Sequence, residues 1–585
     1  MTLKYSVENN VQLLLSLLKA HNIKRVIASP GSTNVCLVTS FQNDSDFEVY
    51  SSVDERSAAY MACGMAVETG EPVVLTCTEA TASRNYLSAL TEAFYRKIPI
   101  LAITATNEIT LVGQNHPQMI DRSVALKDTV VKSLFLPILY SPVKENGYIN
   151  LINEALLELR RNGGGPVHIE YETRYTGDYT AKELPVVNVT QRISLTDNFP
   201  ELKRGKIGII AGAHKRWSKR LIETVDRFCK KYDAVVLQDH LNNYQGDYGV
   251  DYTIVSSQSG MLFDCAIFDT VIYLGDVSSA YNKMFKIKDV WRVNPDGELR
   301  NVLSQYGGKL KYVFEMPEES FFEHYGNLDI SDSLCEYLEE WKNIVTTLHS
   351  EIGNLPFSNL WVAQQTAPQI PSNSRLFLGI ENTMRSWNFF STDKSVECYC
   401  NTGGFGIDGG VSSMIGASIA RPDTLFFMVT GDLSFFYDMN VLGNRHVGKN
   451  VRLMVVNNGV GQQFRNPGYA IRYVGENVNE FIAAAGHFGN KSKSLLKNYA
   501  EALGFEYLTA SNKDEYLANV NRFCDPIIGG KSIVFEVFTE TECETEALKR
   551  ITGLRESLKN KLRNYTMEFV GAKGITLVKK LTGQY

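Results

Sequence analysis

Long apolar runs are missing from this sequence, although 44% of its 585 residues are hydrophobic. A helix that spans a bilayer needs about 18 or more consecutive apolar residues. Residues 1–30 also lack the basic segment, apolar segment and small-residue cleavage site that a secretory signal would show. These absences predict a soluble protein that neither spans a membrane nor is secreted.

Cysteine is also sparse, with ten residues and no CxxC pair. Cys398 and Cys400 alternate along a predicted strand, so their thiols share one face, which favours a core position over a metal site. This usage fits reduced cysteines and a cytoplasmic location. A net charge of −6 gives no electrostatic basis for nucleic acid as a partner.

What the sequence does contain is a repeated alternation of short apolar runs with helix-compatible segments. At about 150 residues per domain, the length predicts three or four domains. The alternation indicates parallel sheets with helices on both faces. We therefore predict an α/β fold of three doubly wound parallel-sheet domains with a C-terminal helical extension. The predicted domains are 1–180, 190–345 and 354–545, and the extension is 546–585.

The stretch 425–464 carries the clearest chemistry. Two apolar runs flank a helical segment, and polar residues follow both runs, Asp432 after the first and Asn458 after the second. Because ligands bind outside the carboxyl ends of parallel strands, these two side chains are expected to lie together at a binding edge. Their oxygens suit Mg²⁺, a hard cation. The alternative is an ordinary βαβ unit with turn residues at its strand ends.

This pattern resembles the diphosphate-binding signature of thiamine-diphosphate-dependent enzymes, the superfamily of 2-oxo acid decarboxylases and carboligases. The resemblance implies that Asp432, Asn458 and the backbone carbonyl of Val460 bind Mg²⁺. Leu433 stands where most of the family has glycine. The menaquinone-pathway synthase shares this departure and is the branch that the sequence resembles most. That branch couples decarboxylated 2-oxoglutarate to isochorismate.

The first part of the chain supports the same resemblance. Motifs at 29–32, 54–59 and 73–83 occur in the order of a pyrimidine-binding domain of these enzymes. The resemblance implies that Glu55 activates the cofactor at N1′ of its aminopyrimidine, which requires a carboxyl group whose pKa burial has raised. The alternative for a lone glutamate at a helix start is a favourable dipole contact.

The same resemblance implies that residues 1–180 bind the pyrimidine and that residues 354–545 bind the diphosphate. The sequence of the predicted central domain, 190–345, contains no dinucleotide fingerprint. The implied cofactor contacts also include Ser32, Thr383, Gly406, Ile407, Asp408, Gly431, Leu433, Ser434, Gln462, Gln463 and Phe464. Gln114 and His116 match a polar active-site loop with a catalytic role. The implied substrate contacts are Asn107, Lys283, Arg385 and Thr402. Ile407 is expected to lie beneath the cofactor and hold it bent.

The substrate positions depart most from the menaquinone-pathway synthase, which binds carboxylate-rich substrates with several arginines. The matching positions in this chain carry Thr33, Asn107, Thr402 and Trp387. Losing four such contacts would forfeit several kcal/mol, at about 1.5–3 kcal/mol for each charged hydrogen bond. We therefore keep the cofactor chemistry, set aside that particular reaction, and predict a donor with a short or uncharged tail, such as pyruvate.

The predicted function is decarboxylation of a 2-oxo acid with thiamine diphosphate and Mg²⁺, followed by transfer of the acyl carbanion to an unidentified acceptor. One alternative is a simple 2-oxo acid decarboxylase. Another is a catalytically silent thiamine-diphosphate-binding subunit that regulates or scaffolds a partner, which the unusual Glu79-Ala80 turn keeps open. The predicted assembly is a homodimer or homotetramer, in which Glu55 of one chain serves the diphosphate site of another.

Overall fold

The computed structural model describes residues 4–214, 216–275, 285–466 and 469–555. The strands are β1 Arg25–Ala28, β2 Glu48–Ser51, β3 Val73–Cys77, β4 Ile100–Thr106, β5 Lys132–Leu136, β6 Val167–Glu172, β7 Gln191–Ile193, β8 Ile207–Ile210, β9 Ala234–Gln238, β10 Gly249–Asp251, β11 Ile267–Tyr273, β12 Lys286–Val293, β13 Lys309–Phe314, β14 Arg375–Leu378, β15 Glu397–Tyr399, β16 Phe426–Gly431, β17 Val451–Asn457, β18 Glu506–Ala510 and β19 Ile533–Phe538.

The helices are α1 Asn9–Ala20, α2 Val35–Gln42, α3 Glu55–Thr69, α4 Thr81–Asn85, α5 Leu87–Arg96, α6 Pro142–Glu158, α7 Lys219–Tyr232, α8 Tyr252–Ser256, α9 Glu318–Gly326, α10 Glu336–Glu351, α11 Asn359–Thr366, α12 Asn382–Trp387, α13 Gly410–Ala420, α14 Asp432–Asp438, α15 Gln462–Arg465, α16 Ile471–Val474, α17 Val478–Phe481, α18 Phe488–Lys491, α19 Leu495–Ala502, α20 Lys513–Phe523 and α21 Thr541–Thr552. The chain separates into two compact units, one of Met1–Phe199 with Asp289–Met316 and one of Pro200–Lys288 with Pro317–Tyr585.

The first unit contains a six-stranded sheet in the order β2-β1-β3-β4-β6-β5, in which every neighbouring pair is parallel. Strands β3 and β4 are buried along their whole lengths, as expected for continuous apolar runs covered on both faces. Val74 belongs to a core with α1, α2 and α6, whereas Val73 and Leu75 belong to a core with α3 and α5. Helices therefore cover both faces of this sheet. The unit also holds the parallel strands β12, β13 and β7.

The second unit contains four parallel strands in the order β10-β9-β8-β11. It also contains a six-stranded parallel sheet in the order β15-β14-β16-β17-β19-β18. The predicted fold class of parallel α/β sheets is confirmed. The domain boundaries stay a prediction, and residues 556–585 of the predicted extension lie outside the described residues.

The register of β16 and β17 sets the position of the candidate site. Phe426 pairs with Val451 at one end of the ladder and Gly431 pairs with Val456 at the other. The two strands therefore end side by side at the same edge of the sheet. A core that includes Met428 and Val455 fixes this ladder from one face.

Strand β13 does not stand out as a short apolar run in the sequence. In β13, lysines at 309 and 311 alternate with buried Leu310, so only one face of the strand is apolar. This weak period-2 signal is typical of a strand with one face in solvent. Residues 81–96 form two helices, α4 and α5, which meet at Tyr86.

A candidate cofactor and metal site in two parts

Asp432 lies at the carboxyl end of β16, where it begins α14, and is only 2% exposed. Its carboxylate oxygen Oδ2 accepts a hydrogen bond from the backbone N–H of Gly459, with an N–O distance of 3.0 Å. Gly459 belongs to the turn that follows β17. The structure therefore brings together the two strand-end turns that the sequence predicted to meet.

The paired asparagines of the second turn face different surroundings. Asn457 is fully buried, and its amide donates to Glu536 Oε1 at 2.7 Å. Asn458 is partly exposed at the sheet edge, and its Oδ1 accepts from the backbone N–H of Val460 at 3.3 Å. Gly459 has a φ of +75°, and a Cβ there would lie 2.4 Å from the side chain of Asn490. The turn therefore requires glycine.

The donor chemistry of these turns fits a hard divalent cation, because it offers a carboxylate, an amide oxygen and the backbone carbonyl of Val460. Among the described residues, no group of three or more His, Cys, Asp or Glu side chains is placed to hold a metal ion. The next turn fits a polar ligand as well. Both amide atoms of Gln463 are buried without a hydrogen-bond partner. The Oε1 atom of Gln462 is also buried and has no partner. Buried polar atoms of native proteins are normally paired, so these amides fit a bound polar group.

The glycine-rich loop 401–409 is tied to α14, because the Ser434 hydroxyl donates to the carbonyl of Ile407 at 2.6 Å. Ile407 and Gly406 are partly buried, whereas Asp408 is exposed. Gly431 and Leu433 flank Asp432 in the first turn and are partly buried.

Three other predicted residues of the second unit differ in their exposure. Thr383 is buried, and its hydroxyl oxygen accepts from the Asn359 amide at 3.4 Å. Thr402 is also buried, so it offers little surface to a substrate. Phe464 is 42% exposed.

In the first unit, Glu55 is the first residue of α3. Asp54 caps this helix by accepting from the Ser57 backbone N–H at 2.9 Å, as an N-cap aspartate does. The Glu55 carboxylate is partly exposed and accepts from the Asn85 amide at 3.1 Å. Ser32 is exposed in the loop after β1. Glu55 therefore lies at the surface of its unit rather than in an enclosed apolar slot.

Gln114 and His116 are exposed in a loop whose Gly113 and Asn115 have positive φ. Asn107 is partly buried, and its backbone N–H donates to Glu79 Oε2 at 3.4 Å. Glu79 also accepts from the Tyr175 hydroxyl at 3.1 Å, so this unusual turn residue holds two neighbouring segments. Lys283 lies outside the described residues.

Two arginines of the second unit, Arg385 and Arg465, are already paired with carboxylates. Arg385 Nη1 lies 2.5 Å from Glu381 Oε2 and donates to the Tyr469 hydroxyl at 3.0 Å. Arg465 Nη1 lies 3.0 Å from Glu476 Oε2. Trp387, at a position where the menaquinone-pathway synthase would offer an arginine, is fully buried.

Two polar residues near Asp432 were missed by the sequence analysis. His487 Nε2 lies 2.6 Å from Asp432 Oδ2, although the two residues are far apart in the chain. Glu544 is buried and accepts from the Asn359 backbone N–H at 3.0 Å and the Thr539 hydroxyl at 2.7 Å. Burial raises the pKa of the Glu544 carboxyl to about 7. For the contact between His487 and Asp432, the sequence offers only Gly486 and Gly489, which flank His487 and Phe488 and indicate a turn.

Comparisons with known proteins bear on this geometry. Residues 9–125 match the family of thiamine pyrophosphate enzymes, N-terminal TPP binding domain. The parallel-sheet architecture and this match define the class, which is that of thiamine-diphosphate-dependent enzymes that act with a divalent metal ion. No described helix is both long enough and apolar enough to cross a membrane.

Several relatives share most of the chain's length, and they are named 2-succinyl-5-enolpyruvyl-6-hydroxy-3-cyclohexene-1-carboxylate synthases. The relative from Bacteroides fragilis is 31% identical, over 93% of this chain and 98% of its own. The relative from Phocaeicola vulgatus is 31% identical over 95% and 100%, and that from Bacteroides thetaiotaomicron is 30% identical over 93% and 98%. The chain belongs to the family of these synthases.

Proposed function

We propose that this chain decarboxylates a 2-oxo acid and transfers the remaining acyl unit to an acceptor, with thiamine diphosphate and Mg²⁺. The observation that carries the proposal is the hydrogen bond between Gly459 and Asp432, which joins two turns rich in hard oxygen ligands. An ordinary βαβ unit has no need of a buried aspartate at this edge, followed in the next turn by a buried glutamine, Gln463, whose amide atoms have no hydrogen-bond partner. These orphaned amide atoms support a binding site over a simple turn.

Asp432, Asn458 and the Val460 carbonyl would hold Mg²⁺, and the metal would in turn hold the diphosphate. The unpartnered NH₂ group of Gln463 would donate to the same group from the adjoining turn, and Gln462 would lie beside it. Further contacts are assigned to Ser32, Thr383, Gly406, Ile407, Asp408, Gly431, Leu433, Ser434 and Phe464. Ile407 would orient the cofactor from a loop that the Ser434 hydrogen bond fixes.

When bound, the cofactor supplies a nucleophilic carbon and an electron sink for the bond that releases CO₂. The Glu55 carboxyl would hold a proton at N1′ of the aminopyrimidine. Since Glu55 is partly exposed at the surface of its unit, a second copy of the chain would cover it to exclude water. We therefore propose a homodimer or homotetramer with shared sites, in which Gln114 and His116 contact the reacting groups.

The donor is proposed to have a short or uncharged tail. Trp387 is buried, and Arg385 and Arg465 are each paired with a carboxylate. A distal carboxylate of the donor that relied on these two arginines would be buried without a free partner, which is costly. The remaining candidate substrate contacts are Asn107 and Lys283, whereas Arg385 is paired and Thr402 is buried, so both offer less to a substrate.

A second candidate is the reaction that the relatives' name denotes, and the shared length and identity favour it. The two candidates differ in substrate and share the cofactor. We also propose a cytoplasmic location, since all ten cysteines are free thiols.

The test is a panel of 2-oxo acids, including pyruvate and 2-oxoglutarate, incubated with the protein, thiamine diphosphate and Mg²⁺. CO₂ release is measured together with product mass spectrometry, with and without isochorismate and simple aldehydes as acceptors. Cofactor-dependent CO₂ release with a coupled product supports the proposal. Release with only the aldehyde as product indicates a simple decarboxylase. Binding of the cofactor without CO₂ release from any acid indicates a silent subunit.

A further inference from the structure

The segment 486–490, Gly-His-Phe-Gly-Asn, contacts both strand-end turns of the candidate metal site. The backbone N–H of Gly486 donates to the carbonyl of Gly459 at 3.3 Å. The Asn490 amide donates to Asn457 Oδ1 at 3.0 Å. A Cβ on Gly489 would lie 2.1 Å from the ring of Phe436, so the backbone approaches α14 as closely as it can. The segment is thus held against α14 and the turn after β17.

Within this segment, His487 reaches the Asp432 carboxylate. Because a carboxylate oxygen only accepts hydrogen bonds, the proton of this contact lies on Nε2 of His487. The imidazole packs against the Phe436 ring, with 5.6 Å between the ring centroids. The side chain of His487 is 20% exposed and that of Asp432 only 3%. The contact is therefore mostly shielded from water.

Both hydrogen bonds to this carboxylate end on the same atom. His487 Nε2 and the Gly459 N–H both donate to Oδ2, whereas no described residue donates to Oδ1. Two donors on one oxygen fix the plane of the carboxylate and leave the other oxygen available. Outer-shell hydrogen bonds of this kind orient metal ligands and strengthen metal binding.

We propose that His487 is a positioning residue that fixes Asp432, so that Oδ1 is the oxygen presented to a divalent metal ion. The inference rests on the proposed metal site and deepens it by assigning its orientation to a residue from a distant segment. Direct ligation by the imidazole is the competing arrangement, and it would favour Zn²⁺ or Ni²⁺ over Mg²⁺. Positioning keeps an all-oxygen site, which suits Mg²⁺ and Mn²⁺.

The experiment titrates the full-length protein with Mn²⁺, in the presence of thiamine diphosphate, by electron paramagnetic resonance. His487→Phe keeps a ring against Phe436 and removes the donor, and we expect it to weaken Mn²⁺ binding by about 10- to 100-fold. His487→Gln retains an N–H donor and should recover most of the affinity. His446→Phe, at an exposed histidine elsewhere in the unit, is the matched control and should bind as wild type. If His487→Phe fails to fold, His487→Ala is titrated in its place.

Wild-type affinity in the Phe variant, or equal loss in the Phe and Gln variants, would overturn the positioning role. Electron spin echo spectra of Mn²⁺ with ¹⁵N-histidine-labelled protein give a second readout. No histidine nitrogen coupling is expected, and a strong one would show direct ligation and overturn the proposal. Asp432→Ala is titrated alongside. Unchanged affinity in that variant would refute the metal site itself, whereas a loss there without a loss in His487→Phe would refute only this inference.

Discussion

Replacing Asp432 by alanine is predicted to weaken the binding of the metal ion and of thiamine diphosphate together. Asp432 is the anionic member of the proposed ligand set and is almost fully buried. Its loss also leaves the Gly459 N–H and His487 without their acceptor. The diphosphate is expected to be held chiefly through the metal, so the two affinities are thermodynamically linked.

The magnitude follows from the charge of the lost group. An interaction with a charged hydrogen-bonding group contributes about 1.5–3 kcal/mol. Since about 1.4 kcal/mol corresponds to a tenfold change in affinity, we expect metal binding about 10- to 150-fold weaker. Asp432→Asn keeps an oxygen for the Gly459 N–H and His487, but its NH₂ group replaces the second carboxylate oxygen and cannot bind the metal, so its metal affinity should fall about as far as that of Asp432→Ala.

Calorimetric titration of thiamine diphosphate, at saturating Mg²⁺ and without Mg²⁺, measures the effect. Asp438→Ala is the matched control, because Asp438 lies on the same helix and accepts from the Ser412 backbone N–H at 2.6 Å. That variant should be less stable than wild type but bind the cofactor normally. Unchanged affinity in Asp432→Ala, or an equal loss in Asp438→Ala, would show that the metal binds elsewhere.

Three further predictions follow from the structure. Mixing Glu55→Gln chains with Asp432→Ala chains should restore part of the activity, because one site of a mixed dimer receives both wild-type residues. Pyruvate should have a higher kcat/KM than 2-oxoglutarate in steady-state kinetics, because Arg385 and Arg465 are already paired with carboxylates of the protein. Glu544 should make folding pH-dependent, because burial raises its pKa from the ordinary value of 4.5 to about 7 and the protonated form is favoured when folded. Its contribution is fully present below pH 4.5 and is lost as the pH rises to about 7, by at most about 1.4 kcal/mol per pH unit.

Each of these predictions has a contrary outcome. No recovery after verified subunit exchange would count against shared sites. A clear preference for 2-oxoglutarate would favour the reaction that the relatives' name denotes. Denaturant unfolding of Glu544→Gln should show the variant gaining stability relative to wild type between about pH 4.5 and 7. A parallel pH dependence of the two proteins would mean that Glu544 is already ionised in the folded state.

The sheet that carries Asp432 could be predicted from the sequence because its signals are local. Strands β16 and β17 are continuous apolar runs, and each is followed at once by polar turn residues. Parallel strands place their carboxyl ends at one edge, so the meeting of the two turns followed without knowledge of the tertiary structure. The hydrogen bond from Gly459 to Asp432 bears out that meeting.

Contacts from distant segments had no comparable signal. His487 reaches Asp432 from a stretch of very short helices, 471–491, in which no apolar period marks a face. The pairing of Arg465 with Glu476 likewise depends on how this stretch folds back. Glu55 was identified by motif order, but its partial exposure could not be read from the sequence, since it depends on how neighbouring elements pack.

Hydrogen–deuterium exchange at C2 of the bound cofactor tests whether this chain activates thiamine diphosphate. This measurement needs no knowledge of the donor or acceptor. The wild-type protein with Mg²⁺ should accelerate exchange by orders of magnitude over free cofactor, and Glu55→Gln should abolish most of the acceleration while binding the cofactor nearly as tightly. Exchange no faster than in free solution, or equal exchange in the variant, would contradict the account.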